Sequence, residues 1–208
     1  MAKANERYAM SERRSATSDK PFAISDKPLA ISDRRPGLFL LIGPRNPNRR
    51  LLAAAVRLAY AGQPVRVIDG CNSFDGYFAA RLARRLSPEP ARLLNRITLS
   101  RAFTCFQLAQ RISQGGGAGP LIVLGMLETF YDESVPLAEV KRLLAESLRG
   151  LRRWARSAPV IVGAGEPQGP QVERRRLLDL LRGAADRVYT LAEPAEEALA
   201  GKQMNFGF

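Results

Sequence analysis

A chain of 208 residues has room for one domain of ordinary size and a tail but not for two, and its 46% apolar and 25% charged residues exclude wholesale disorder. No apolar run approaches the roughly 18 residues that span a bilayer, the N-terminus lacks a signal-peptide core, and two cysteines without any histidine exclude a disulfide scaffold and the usual zinc sites. Lysine and arginine number 32 against 20 acids, a net charge of +12, which favours a polyanion such as nucleic acid or an acidic partner protein. Arginine supplies most of that excess, and its two-pronged fork suits phosphate, although the codon bias of a GC-rich gene would enrich arginine equally. A cytoplasmic protein without membrane association is expected.

Residues 1–36 form an N-terminal arm. It carries a seven-residue repeat, TSDKPFA, ISDKPLA, ISDRRPG, that runs from Thr17 to Gly37. Ser-Asp favours local turns, Pro blocks helix, and three short copies cannot bury a solenoid core, so a disordered arm is expected, with a docking peptide as the alternative. From Gly37 short apolar runs alternate with amphipathic stretches. Strands are predicted at Leu38–Ile42, Val65–Asp69, Ile97–Leu99, Leu121–Leu124, Val160–Val162 and Val188–Leu191. Helices are predicted at Arg49–Ala61, Phe74–Leu86, Ala102–Ser113, Leu137–Arg156 and Gln171–Arg182. Such alternation predicts an α/β domain over 37–192, a parallel sheet flanked by crossover helices, with a tail at 193–208. Runs such as LIVL and VIV fit strands buried on both faces.

Ligands in such sheets sit beyond the C-terminal strand ends, so those positions are the ones to read for chemistry. The first strand leads into GPRNPNRR, Gly43 to Arg50, where a phosphate-cradling loop would read G-x-x-x-x-G-K-[ST]. Gly43 keeps the first glycine, but Asn48 replaces the second, Arg49 the lysine and Arg50 the magnesium-binding hydroxyl. Asparagine tolerates the left-handed backbone, and Arg49 could still draw an anion to a helix N-terminus. Loose phosphate affinity thus stays open, as does an ordinary polar turn.

The stretches VRVIDGCNSFDGYFAARLARRL, RITLSRAFTCFQLAQRI and GPLIVLGMLETFYDE resemble the ATPase core of the RecA family, in particular its archaeal and eukaryotic recombinase branch. The shared features are an Asp-ended second strand with Phe74 five residues on, Ser-Arg-Ala-Phe-Thr from Ser100 to Thr104, and an apolar fourth strand. The similarity covers about Gly37 to Leu191 and implies a RecA-like P-loop NTPase fold. It also implies catalytic groups that this chain lacks. Cys71 stands where the family places the glutamate that polarises water, Gly125 where an aspartate holds magnesium, and Gly165 near the glutamine that senses the γ-phosphate. With the altered phosphate loop, every part of the hydrolytic apparatus is replaced, and phosphoryl transfer rests almost wholly on positioning and charge. A pseudo-ATPase is expected. The remaining nucleotide-site candidates are Gly43, Asn48, Arg49, Arg50 and Asp69. No cofactor is expected, with ATP as the alternative.

Other acids near strand ends are Asp75, Glu128, Asp132 and Glu133; Glu128 and Asp132 would align on a helical turn for a cation, but solvated acids are the simpler reading. Cys71 has no histidine to act as its base, and Cys105 reads as core packing. On the helix predicted at Leu137–Arg156, a wheel at about 100° per residue gathers Leu137, Val140, Leu143, Leu144, Leu148, Leu151 and Trp154 on one side. Lys141, Arg142, Arg149, Arg152, Arg153 and Arg156 fall within roughly 120° on the other, with Glu139 and Glu146 at the margin. Glu173–Arg176 adds three arginines on the next helix. This stripe is the candidate contact for a nucleic-acid backbone or an acidic partner. The expected function is binding, as an accessory in DNA repair or recombination. The alternatives are an ATPase with a nonstandard phosphate loop and a regulator that docks on an active RecA-like partner without touching DNA.

Overall fold

Apolar residues that run without interruption need a partner layer on each side, and the first strand shows how this chain provides two. The computed structural model describes residues 35–43, 47–115, 119–165 and 172–191; the repeats before Arg35, the tail and residues 44–46 of the phosphate-loop segment lie outside the described residues. In β1 (Gly37–Gly43) Phe39 and Leu41 enter one core, and Leu38, Leu40 and Ile42 the other. The chain continues through α1 (Asn48–Tyr60), β2 (Val65–Asp69), α2 (Gly76–Leu86), α3 (Pro90–Leu94), β3 (Ile97–Arg101), α4 (Cys105–Ser113) and β4 (Leu121–Leu124). It then forms a 3₁₀ turn (Glu128–Phe130), α5 (Leu137–Trp154), β5 (Pro159–Gly165), α6 (Val172–Ala184) and β6 (Arg187–Thr190).

All pairings are parallel and the strand order is β3-β2-β4-β5-β1-β6. Right-handed crossovers then dictate the layers. The steps β1 to β2 and β2 to β3 run one way along the sheet and put α1, α2 and α3 on one face, where Leu51, Val56, Phe78 and Leu93 meet Leu41 and Val67. The later steps run the other way and put α4, α5 and α6 on the opposite face, where Leu108, Leu144 and Leu177 meet Leu40, Val123 and Val162. The α/β expectation holds. The central runs LIVL and PVIVGAG are buried at every position, as the unbroken apolar pattern requires.

Several boundaries differ from the predicted ones, for capping reasons. Asp75 accepts the Phe78 amide and so starts α2 at Gly76 rather than at Phe74. Thr104 does the same for α4 through Gln107, so Ala102 and Phe103 stay outside the helix. The short α3, opened by Pro90, lacks an amphipathic period long enough to be read from sequence. Among the described residues no helix is long and apolar enough to cross a membrane.

Candidate functional site

β2 sends its chain to one face of the sheet and its neighbour β4 sends its chain to the other, which opens a crevice beyond their C-terminal ends. Five groups meet there. Asn48, in the first turn of α1 and 4% exposed, accepts the Gly125 amide at 3.1 Å through Oδ1. Its Nδ2 donates to Cys71 Sγ at 2.9 Å and to Ser73 Oγ. The Cys71 thiol in turn reaches Ser73 Oγ at 3.0 Å. Beneath them Asp69, 1% exposed, accepts the amides of Cys71 at 3.3 Å and Ser73 at 3.1 Å on Oδ1, and that of Phe74 at 2.9 Å on Oδ2. Asn72, at φ 52°, makes the left-handed step that folds these amides back onto the carboxylate.

The consequence is a polar knot that satisfies itself. Both oxygens of Asp69 are taken by its own loop, and both ends of the Asn48 amide are spent on the loops after β2 and β4. Gly125 closes it: its φ is +57°, and a Cβ there would lie 2.3 Å from Cys71 Sγ, so no other side chain fits. Asn48 and Asp69 are therefore brought together, as members of one structural cluster. The other candidates are not part of it. Gly43 ends β1 beside Pro47 and Leu191, Arg49 lays its guanidinium 4.6 Å from the Phe78 ring centre, and Arg50 is exposed. Sequence reasoning missed Ser73 and the role of Gly125; the D-x-x-x-S spacing of Asp69 and Ser73 was the available signal.

Glu128 bends over the end of β5, its Oε1 3.1 Å from where a Gly165 Cβ would stand, and burial raises its carboxyl above the ordinary value. Burial also raises the Tyr131 phenol, with Glu128 and Asp179 adding to the shift. The predicted alignment of Glu128 with Asp132 does not form as a helical turn: the 3₁₀ turn ends at Phe130, and Asp132 instead accepts the Ser134 amide at 2.9 Å. Among the described residues no group of three or more Cys, Asp or Glu is placed to hold a metal ion.

Five members of the predicted basic stripe, Lys141, Arg142, Arg149, Arg152 and Arg153, lie on α5. Arg156 does not, because the helix ends at Trp154 rather than at Arg156, and it sits in the turn that follows; all six are exposed. They are not equivalent. Arg142 is paired with Glu139 at 2.7 Å and with Glu146 at 3.5 Å, so the two marginal acids neutralise one member. Arg152 donates to the carbonyls of Gly183 and Ala184 at the end of α6, each at 3.3 Å. Lys141, Arg149, Arg153 and Arg156 make no ion pair among the described residues. The second arginine cluster also divides: Arg174 is 7% exposed and clamps the Phe130 and Val135 carbonyls at 2.7 and 2.9 Å, which leaves Arg175 and Arg176 on the surface. Leu137 and Leu148 are only partly covered, while Ser147 and Gly150 are buried with the apolar side.

No family model matches the chain, and no curated protein matches it in sequence.

Proposed function

We propose that this chain is a catalytically inactive RecA-like protein that acts by binding, as an accessory in DNA repair or recombination. The observation that carries the inactive part is the knot around Asn48. The RecA resemblance would put a magnesium ion and its water in this crevice. What supports the inactive reading is that the polar groups there are paired with one another and that a Gly125 Cβ would meet Cys71 Sγ. The resemblance to recombinases supports the DNA part, and the exposed, unpaired cations of α5 give it a contact surface.

Titration with a fluorescent ATP analogue and magnesium tests the first part. No saturable binding in the micromolar range is expected; magnesium-dependent micromolar binding would defeat it. A gel shift with single- and double-stranded DNA tests the second. The substitutions Arg149→Glu, Arg153→Glu and Arg156→Glu, made together, should abolish the shift, and Arg142 and Arg152 are left alone because they have structural partners. A robust shift that survives these reversals removes α5 from the interface.

A second reading, a regulator docked on an active RecA-like partner, is favoured by three exposed aromatic side chains. Tyr77 opens α2 after β2, and Phe103 and Phe106 follow β3, so two neighbouring strand ends carry them at 90%, 68% and 47% exposure. That reading expects no DNA shift at all and a stable complex with the partner that the triple change Tyr77→Ser, Phe103→Ser, Phe106→Ser dissolves.

A further inference from the structure

A parallel strand one place in from the edge of a sheet ordinarily turns apolar side chains toward its helices. β2 breaks this rule once. Arg66 and Ile68 point to the same face of the sheet, and Ile68 joins the apolar core beneath α4 and α5, yet Arg66 brings a cation to that side. Its guanidinium is half-buried and lies 5.2 Å from the ring centre of Trp154, the single tryptophan of the chain. It makes no hydrogen bond or ion pair among the described residues. A cation held inward without a carboxylate is costly unless an anion compensates it.

The surroundings supply the rest of an anion site. Arg66 and Ile68 from β2, Ser100 from β3, Arg111 from α4 and Gln114 at that helix's C-cap line an open recess of about 190 Å³. Ile68 and Ser100 are register partners across the strand pair, so Ser100 shares the face of the sheet that Arg66 and Ile68 turn to the recess. Arg111 and the C-cap residue Gln114, three apart at the end of α4, line it from the helix layer. The lining holds two guanidinium groups, one hydroxyl and one amide, and no acid. Arg111 likewise has no ion pair among the described residues.

We infer that this recess binds a phosphate group. The recess is well above the ~10–15 Å³ that admits one water, so an oxyanion can enter it. Donors come from the sheet and from the helix layer, and a phosphate offers tetrahedrally disposed acceptor oxygens and more negative charge to them, whereas a carboxylate offers two oxygens in one plane. Stacking on Trp154 holds the Arg66 fork in place before the ligand arrives. The site is separate from the α5 stripe and does not depend on the function proposed above. The phosphate has two sources, a free phosphate or its monoester, and the backbone of a nucleic acid.

Trp154 makes the site readable. Inorganic phosphate titrated into the full chain should change the tryptophan fluorescence saturably, and calorimetry should give the same dissociation constant. Arg111→Gln, on an exposed helix position, should weaken binding about tenfold or more, and Arg66→Met should abolish it. Acetate at matched ionic strength should have no effect. Competition by an oligonucleotide without terminal phosphate assigns the backbone as the source; its absence assigns a free phosphate or monoester. The inference is overturned if calorimetry detects no phosphate binding, if acetate binds as well, or if a folded Arg111→Gln protein binds phosphate unchanged.

Discussion

Gly125 shows at the scale of one residue how the end of a strand is fixed by the absence of a side chain. An aspartate at this position would not be accommodated, because the backbone there is left-handed and Cys71 Sγ lies 2.3 Å from where a Cβ would stand. Gly125→Asp combines a strained φ, overpacking and a buried charge, and should cost about 4 kcal/mol or more. Chemical denaturation checks this, and the variant should show no ATP hydrolysis. Glu128 makes a second prediction, with a sign. Its carboxyl is raised from 4.5 by burial, so folding disfavours the ionised form. The penalty is absent below pH 4.5, grows as pH rises above that value, and is complete once pH exceeds the folded value. Glu128→Gln should therefore stabilise the protein at pH 7 and leave its stability unchanged below pH 4.5. Thermal melts at the two pH values distinguish this from a simple packing effect, which would not depend on pH.

At the scale of elements, two arginines that look like surface charge act as joints: Arg152 ties α5 to the end of α6, and Arg174 makes the second. Arg174 ties α6 to the segment between β4 and α5 by donating to two main-chain carbonyls that have little access to water. Arg174→Leu keeps the bulk but orphans both acceptors, and should lower stability by about 3 kcal/mol, measured by urea titration. The α4–α5 contact depends on a different device. Gly150 lies opposite Ile112, and a Cβ there would come within 2.7 Å of Ile112 Cγ2, so the helices approach more closely than any larger residue permits. A glycine in mid-helix reads from sequence as a weakness of about 1 kcal/mol; in the packed pair it is what lets α5 seat.

For the whole molecule the question is how much of the +12 charge is available to a partner. On α5 and the turn after it the answer is Lys141, Arg149, Arg153 and Arg156, since Arg142 and Arg152 are engaged by other residues. If those four contact duplex phosphates, the logarithm of the binding constant should fall with the logarithm of salt concentration at a slope of about −3 to −4. Gel shifts across a salt series measure it. A slope near zero would mean that the stripe is not the contact, and each single reversal should reduce the slope by about one.

The elements were legible because their causes are local. Val65–Asp69 and Leu121–Leu124 stand where the apolar runs place them, and the outer face of α5 carries the cations that the 3.6-residue period assigns to it. The order of the strands was not legible, nor was the fate of Asp69, Arg66 and Arg174. A buried carboxylate that holds its own loop, an inward arginine stacked on Trp154 and a buried clamp all look in one dimension like polar residues near strand or helix ends. Local periodicity and capping thus determined by themselves that this chain is a parallel α/β sheet with a cationic outer helix. Which polar groups are spent on each other and which are left for a ligand was decided only in the tertiary structure, because Asn48, Ser73 and Gly125 meet through crossover connections that bring distant segments within hydrogen-bond reach.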